Sequence, residues 1–270
     1  MNTVDQDRVK AFDGINNFRD FGGWRTGSGG RIATGVLFRS AHLARASDSD
    51  LARMLGLGIT DVIDLRQAAE QAEQPSAWIG RLALAVIEEP DDAGSSEAFD
   101  ARLAPHLAAF AKSDFSAGAM RDLLAGHYRT MPYERRNIAL FRRYFQRLAT
   151  GHGGMLIHCA AGKDRTGILV RLTHHVLDVH PDDALEDYLL SNTAGNLAAR
   201  LPRLKRHMEQ VHGRSIDSEA IRTLLSVEPA YIAQCWMALR SKSGSVDNYL
   251  ADVLGVEEVV KQQIRKRLLS

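Results

Sequence analysis

The stretch from Gly153 to Gly167 decides the fold and reads GGMLIHCAAGKDRTG. Its first half is a short apolar run entered through glycines, which is typical of a buried parallel strand. Cys159 follows the strand, and Arg165 stands after five intervening small or polar residues. Helical character then runs from about residue 166 to 177. A strand, a tight loop and a helix in this order predict one unit of an α/β fold.

Segments on both sides extend this alternation. We expect short strands near residues 31–33 and 36–39, and further strands at 60–65 and 82–87. Ser47 offers an N-cap for a helix between them. Residues 97–150 have helical spacing, and almost everything from Pro181 onward reads as helix. The sequence thus predicts one α/β domain over residues 1–270, with a central mostly parallel sheet flanked by helices. We expect a helical insertion at about 97–130 and a helical C-terminal region at about 181–270.

Composition excludes several classes of protein. The chain has 270 residues, 45% of them hydrophobic, which is enough to bury a substantial core. Lys and Arg total 34 against 33 for Asp and Glu, so no global charge attracts nucleic acid. No apolar run is long enough for stable membrane insertion and none resembles a secretory signal. Cys159 and Cys235 lack zinc-binding spacing. We expect a cytoplasmic protein without a structural metal, although export without a recognisable signal stays open.

The loop after the strand has the features of an anion site. Gly162 permits a curled backbone whose amides point inward, and the loop runs into the N-terminus of a helix. The main chain of Ala160, Ala161, Gly162 and Lys163 would then surround a bound phosphate. The positive electrostatic potential of these amides and of the helix N-terminus also favours the thiolate form of Cys159. A thiolate beneath a phosphate is placed for in-line attack on phosphorus.

The residues around the cysteine fit the same chemistry. Arg165 can grip two phosphate oxygens with its planar guanidinium, a geometry that lysine cannot supply. Thr166 can cap the helix or donate to the sulfur when it leaves. His158 would brace the loop from below.

Hydrolysis through a covalent intermediate also needs a proton donor for the leaving oxygen. Asp164 is the first candidate because it lies inside the loop. Asp64 at a strand end and Asp91 or Asp92 in an acidic segment are alternatives. Asp64 and Arg66 could also line the site or form an ion pair that holds its loops, and the same two alternatives apply to Arg19 and Asp20.

The motif and three upstream segments carry a family resemblance. HCAAGKDRTG at residues 158–167 resembles the bacterial tyrosine/serine protein phosphatase family of the protein-tyrosine phosphatase superfamily, which is related to lipid and dual-specificity phosphatases. The further matches are NFRDFGG at 17–23, LFRS at 37–40, and IDLR at 63–66 with Glu70. The resemblance covers roughly residues 12–270.

This resemblance implies roles for the loop residues. It implies that Cys159 is the nucleophile, Arg165 the phosphate clamp, Asp164 the acid, and Lys163 a contact to substrate phosphate. It implies a protein-tyrosine-phosphatase-like fold, no cofactor or metal, and activity on phosphotyrosine, with phosphoserine, phosphothreonine or phosphoinositides as further substrates. Inorganic phosphate is then the product. It also suggests a lid near residues 97–130.

Three rival interpretations remain open at this stage. A sulfurtransferase or arsenate reductase also uses a thiolate in an anion loop, but does not need the arginine clamp followed by Thr166 and Gly167. A non-catalytic phosphate-binding module would not need the cysteine, arginine and aspartate together. Phosphoinositide hydrolysis could be the main role, since the C-terminal segment 261–269 is basic and could touch acidic lipid. A surface helix packed by one face is the alternative for that segment.

Overall fold

The central sheet of the protein holds the loop identified above. The structure is a computed structural model that describes residues 8–79, 84–87 and 116–270. Its strands lie in the order β1-β2-β5-β3-β4. They are β1 Arg19–Asp20, β2 Leu37–Ser40, β3 Ile59–Asp64, β4 Ala85–Ile87 and β5 Gly154–His158. Strand β1 pairs antiparallel to β2, and the other pairs are parallel. The prediction of a mostly parallel sheet is therefore confirmed.

Side chains that alternate along β5 divide the core into two clusters. Met155 and Ile157 belong to one cluster, and Leu156 belongs to the other. This division arises because successive side chains of a strand point to opposite faces of the sheet. The smaller cluster, which contains Leu156, also contains Leu51 and Met54. All of these side chains are almost fully buried, so β5 is a central strand covered on both faces.

Helices surround the sheet and form most of the second half of the chain. They are α1 Asp48–Gly56, α2 Ala68–Glu73, α3 Ala117–Thr130, α4 Arg135–Thr150, α5 Asp164–Val176, α6 Pro181–Leu189, α7 Ser191–Ala194, α8 Leu197–His212, α9 Ser218–Leu225, α10 Pro229–Ser243, α11 Val246–Asn248 and α12 Glu258–Leu268. A 3-10 turn, Met131–Tyr133, follows α3, and a π-helical segment, Tyr249–Val253, follows α11. The expected helical C-terminal region is present as α6 to α12.

Local details agree with the sequence at one helix end and differ at one strand. Ser47 caps α1 as predicted: its side chain accepts from the backbone N–H of Asp50, whose carboxylate accepts from the N–H of Ser47. Residues 31–33 were predicted as a strand, but Arg31 and Ile32 form isolated bridges instead, with Arg25 and Leu269. The short β1 was not predicted, since two residues are too few to show alternation.

Two predicted segments lie partly outside the described residues. Strand β4 begins at Ala85, while residues 82 and 83 of the predicted strand are not described. Helix α3 forms the C-terminal part of the predicted insertion at 97–130. Residues 97–115 of that insertion are not described. Asp91 and Asp92, the alternative acids, also lie outside the described residues. The extent of the domain stays a prediction.

Candidate active site

The loop between β5 and α5 lies at the carboxyl edge of the parallel strands. Strand β5 ends at His158, Cys159 follows, and α5 begins at Asp164. The helix thus starts two residues earlier than the sequence predicted, and Arg165 lies in its first turn. Because β5 lies between β2 and β3, the loop is in the middle of the edge where open α/β sheets bind ligands.

Side chains outside the loop hold two of its backbone carbonyls. The amide nitrogen of Asn17 donates to Ala161 O at 3.1 Å and to Gly162 O at 2.9 Å. The Nη2 atom of Arg39 also donates to Gly162 O, at 2.8 Å. Both donors are fully buried, so water does not compete for these carbonyls.

A third carbonyl of the loop is held in the same way, and this fixes the direction of the amides. The backbone N–H of His42 donates to Ala160 O at 3.2 Å. In a trans peptide the N–H points opposite to the C=O of the same plane. The N–H groups of Ala161, Gly162 and Lys163 therefore point away from the groups that hold the carbonyls. This is the arrangement that the anion-site prediction requires.

Gly162 occupies a position that no other residue fits. Its φ is 67°, in the left-handed region, and a Cβ added there would lie 2.1 Å from the carbonyl oxygen of Ser40. A side chain would thus clash with backbone that cannot move aside, besides adopting an unfavourable conformation. The close approach to β2 lets the loop curl tightly above Cys159.

Arg165 is oriented by a carboxylate from α2. Its Nη1 lies 2.6 Å from Glu70 Oε2, its Nη2 lies 2.8 Å from Glu70 Oε1, and Nη1 also donates to Leu65 O at 2.9 Å. Burial would lower the pKa of Arg165, but the charge and hydrogen bonds of Glu70 outweigh it and raise the pKa above the usual range. The guanidinium is thus permanently charged and held in one orientation before any substrate binds.

Cys159 and Arg165 open into the same cavity, whose volume is about 260 Å³. The backbone loop forms one wall. Helices α8 and α9 form another, with the apolar side chains of Leu204, Leu224 and Leu225. Cys159 is 2% exposed, so the thiol is reached through this cavity. The described part of the insertion contributes His127 from α3 to the lining.

Asp164 lines the cavity and has two neighbours at its Oδ1 atom. The hydroxyl of Tyr128 donates to its Oδ1 at 2.8 Å, and the Nζ of Lys163 lies 3.6 Å from the same atom. Asp164 is 8% exposed and lines the cavity next to the loop. The carboxyl group predicted as the acid thus lies next to the loop of Cys159 and is accessible from the cavity.

The ammonium group of Lys163 bonds to the end of a helix. Its Nζ donates to Leu224 O at 2.6 Å and to Ser226 O at 2.9 Å, at the C-terminus of α9. The carbonyls at a helix C-terminus favour a cation. Burial lowers the pKa of Lys163. The side chain that the resemblance assigns to substrate phosphate therefore also ties α9 to the loop.

Thr166 and His158 lie beneath the loop and are completely buried. Among the described residues, the Thr166 hydroxyl and both ring nitrogens of His158 have no hydrogen-bond partner. Burial lowers the pKa of His158. The role of His158 as a brace stays a prediction, while the proposed bond from Thr166 to the sulfur is not formed in this structure.

Asp64 forms an ion pair and does not fit the role of acid. Its carboxylate accepts from Nε and Nη2 of Arg66 at 2.9 and 2.6 Å, and lies 3.7 Å from the ring of His158. Burial alone would raise the pKa of Asp64, but His158 and Arg66 lower it to about 2. Asp64 is thus ionised at neutral pH and has no proton to give.

Arg19 supports the loop from a distance through a buried network. Its Nε lies 3.2 Å from Asp187 Oδ1, and Arg39 Nη1 lies 2.6 Å from Asp187 Oδ2. Arg19 also donates to the side chain of Asn17. Asp187 thus holds the two arginines, and these in turn hold Asn17 and the carbonyl of Gly162. Of the two roles that the sequence left open for Arg19, the ion pair is the observed one.

We expect Asp187→Asn to lower the free energy of unfolding by about 3 kcal/mol, because it leaves two buried guanidinium groups without their counter-charge. Burial alone would raise the pKa of Asp187, but Arg19 and Arg39 outweigh it and lower the pKa below the usual range. The stabilisation is therefore complete above the ordinary carboxyl pKa and is lost as the pH falls through the lowered one. Urea unfolding of wild type and variant between neutral and acidic pH measures both effects. A constant difference between them across that range would contradict the expectation.

Neither a metal centre nor a membrane span is found in the described ranges. No group of three or more His, Cys, Asp or Glu side chains is arranged there to hold a metal ion. None of the helices described is both long and apolar enough to cross a membrane.

The basic residues of α12 contact the protein itself. Lys261 pairs with Asp247 at 2.6 Å and is 8% exposed. Arg265 donates to Val176 O, and Arg267 donates to two carbonyls, the nearer at 2.6 Å. Of the two interpretations of this segment, the surface helix packed by one face fits these contacts, because most of the charge is used internally.

Four described side chains that bond directly to the loop carbonyls, to Arg165 or to Asp164 had no assigned role from the sequence. They are Asn17, Arg39, Glu70 and Tyr128. The first three lie in the segments that carry the family resemblance, so their positions were marked but their contacts were not. Each acts on residues more than 90 positions away in the chain. Tyr128 lies 36 residues before Asp164 and matches no motif.

Comparison with known proteins identifies the family. The profile of the tyrosine phosphatase family matches residues 10–270. A protein assigned as a tyrosine-protein phosphatase in Cupriavidus necator is 34% identical over 250 residues, with 92% of this chain and 84% of that protein covered. The triple specificity protein phosphatase PtpB of Mycobacterium tuberculosis is 29% identical over 289 residues, with 97% and 99% covered.

A solved structure, P. aeruginosa TpbA in complex with pTyr, has 17% identity and a TM-score of 0.33, with 81% of this chain and 96% of that one covered. This likeness is too low to add to the assignment. The family profile and the relative that is 34% identical cover nearly the whole chain, including the loop, its arginine and the residues that hold them. The chain therefore belongs to the tyrosine phosphatase family.

Proposed function

We propose that this protein hydrolyses phosphotyrosine in proteins through a phosphocysteine intermediate, without a metal. One observation carries the proposal: Cys159 and Arg165 share one cavity with a loop in which the carbonyls of Ala160, Ala161 and Gly162 are held from the outside. The amides of that loop and the guanidinium can then bind the same phosphate.

In the first step, Cys159 Sγ attacks the phosphorus of the bound monoester. The S–P bond forms while the bond from phosphorus to the ester oxygen breaks. Asp164, in its protonated form, gives its proton to the leaving oxygen. Arg165 and the loop amides stabilise the negative charge that spreads over the equatorial oxygens.

In the second step, a water molecule attacks the phosphorus of phosphocysteine. Asp164, now a carboxylate, takes a proton from this water as the P–O bond forms and the S–P bond breaks. Inorganic phosphate leaves, and the thiolate and the protonated acid are restored. Asp164 fits this role better than Asp64 because it lines the cavity, whereas Asp64 does not line it and is paired with Arg66.

The walls of the cavity support an aryl ester as substrate. Leu204, Leu224 and Leu225 provide apolar contacts for an aromatic ring next to the anion loop. PtpB, which is 29% identical to this chain, carries the name of a triple specificity enzyme. This name supports activity on more than one class of phosphate monoester, and we propose phosphoserine or phosphothreonine as substrates in addition to phosphotyrosine.

Phosphoinositide hydrolysis as the main role has less support. It was motivated by the basic C-terminal segment, and Lys261, Arg265 and Arg267 are bonded to the protein there. A panel of phosphopeptides and soluble phosphoinositides, compared by kcat/KM in the presence of EDTA, tests the proposal. We expect phosphotyrosine peptides to be preferred, and a clear preference for inositol lipids would overturn that assignment.

The same assay separates the rival chemistries. Steady release of phosphate from p-nitrophenyl phosphate in EDTA would exclude a sulfurtransferase or arsenate reductase as the main activity. Absence of turnover with any monoester, together with tight binding of phosphate, would favour a non-catalytic binding module.

We expect Asp164→Asn to lower kcat by about 100-fold for phenyl phosphate, which has a poor leaving group, because its oxygen needs a proton as it leaves. For p-nitrophenyl phosphate, whose phenolate leaves unaided, the loss in the first step should be about threefold or less. Burst-phase kinetics on both substrates isolate this step. Equal losses for the two esters would move the acid role to another residue.

A further inference from the structure

Two buried tyrosine hydroxyls form a series of hydrogen bonds that ends at the carboxyl group of Asp164. The hydroxyl of Tyr128 donates to Asp164 Oδ1 at 2.8 Å and lies 2.7 Å from the hydroxyl of Tyr188. Tyr128 is 0% exposed and Tyr188 is 1% exposed. The three groups come from three helices, α3, α5 and α6. Neither tyrosine lines the cavity that the described residues form.

The number of protons on the two phenols gives this series of hydrogen bonds a direction. Each phenol has one proton to donate. Tyr128 uses its proton on Asp164, so its oxygen is the acceptor towards Tyr188, and Tyr188 is the donor. Burial, followed by the charge of Asp164, raises the pKa of both tyrosines well above the usual range. Both phenols therefore keep their protons at neutral pH.

Packing holds the two rings in place. The ring of Tyr128 lies edge-on to that of Tyr188, with centroids 6.4 Å apart, and 5.8 Å from the ring of Tyr231. A Cβ at Gly167 would come within 2.9 Å of the ring of Tyr188. The final glycine of the HCAAGKDRTG motif thus permits the close approach of Tyr188 to the catalytic helix α5.

We propose that Tyr128 is a positioning residue for the acid, and that Tyr188 fixes the direction in which Tyr128 donates. The proposal rests on the proposed role of Asp164. Tyr128 keeps Oδ1 as an acceptor in both protonation states of the carboxyl group. The acid proton is then carried on Oδ2, and this oxygen gives the proton to the leaving group and takes one from water.

We expect Tyr128→Phe to lower kcat about tenfold for phenyl phosphate and less than about threefold for p-nitrophenyl phosphate, because the carboxyl group loses its fixed orientation. The basic limb of the pH profile should move to higher pH, since a carboxylate that has lost a donor holds its proton more strongly. Tyr188→Phe should change both quantities in the same direction but less, because Tyr128 can still donate to Asp164.

A matched control separates this effect from the loss of a buried hydrogen bond. Tyr144 is also fully buried, and its hydroxyl bonds to Thr173 at 2.9 Å, in the core and outside the cavity lining. We expect Tyr144→Phe to lower the melting temperature to a similar extent as Tyr128→Phe, with the leaving-group dependence and the pH profile of the wild type retained. A purely structural role for Tyr128 would make the two variants alike in all of these measurements and would overturn the proposal.

The double variant distinguishes failure of this inference from failure of the acid assignment. If Tyr128 acts through Asp164, Tyr128→Phe should add little to the loss caused by Asp164→Asn. Additive losses would overturn the positioning role while leaving Asp164 as the acid. If Asp164→Asn itself shows no leaving-group dependence, the proposed acid fails and the role of Tyr128 fails with it.

Discussion

Cys159→Ser is expected to lower kcat by about 10⁴-fold or more on every monoester, because serine keeps the shape of the side chain but is a far weaker nucleophile without a base to activate it. Binding should survive, since the loop amides and Arg165 are unchanged. Inorganic phosphate binding, measured by calorimetry, should therefore stay within about threefold of wild type. Steady-state kinetics and calorimetry on the same preparation test the two halves of the expectation together.

The second cysteine supplies the control. Cys235 is completely buried in α10, and burial raises the pKa of its thiol, so it is inert at neutral pH. Cys235→Ala should keep wild-type turnover, apart from a loss of stability. Rapid acid quench of the wild type followed by mass spectrometry should show one added phosphoryl group on Cys159. A phosphoryl group on any other residue, or turnover retained in Cys159→Ser, would refute the covalent route.

The second large effect is expected at Arg165. Arg165→Lys keeps a positive charge but removes the fork that bonds to both carboxylate oxygens of Glu70 and is proposed to grip two phosphate oxygens. We expect kcat to fall by about 10³-fold, because this grip tightens in the transition state, while KM changes much less. Steady-state kinetics on p-nitrophenyl phosphate separate kcat from KM.

Two further variants place this loss in context. Arg171→Lys changes another arginine of α5, one that donates to Pro181 O and does not line the cavity, and it should leave kcat unchanged. Glu70→Gln keeps the length of the side chain that orients Arg165, so its effect should lie between those of the two lysine variants. A loss in Arg165→Lys no larger than in Arg171→Lys would show that the clamp is not formed.

Much of the fold was predictable because its signals are local. The apolar run of β5, the cap at Ser47 and the helical spacing after Pro181 each depend on residues close together in the chain. Strand β1 was not predicted because two residues give no pattern, and its place in the sheet depends on pairing with β2.

The candidate site shows the same difference between local signals, which were predictable, and long-range contacts, which were not. Gly162 and the spacing from Cys159 to Arg165 are features of one loop, so the sequence predicted an anion site with a thiol beneath it. The partner of the arginine was not visible in the same way. Glu70 lies 95 residues before Arg165, and nothing within the loop specifies it.

The sequence by itself determined the proposed chemistry, because the residues proposed as nucleophile, clamp and acid lie within seven consecutive residues, from Cys159 to Arg165. The tertiary structure alone decided how these groups are held. It pairs Arg165 with Glu70, bonds Lys163 to the end of α9, and places Tyr128 on Asp164. The physical reason is that orientation comes from hydrogen bonds and ion pairs between distant segments, whose formation depends on how the helices pack around the sheet.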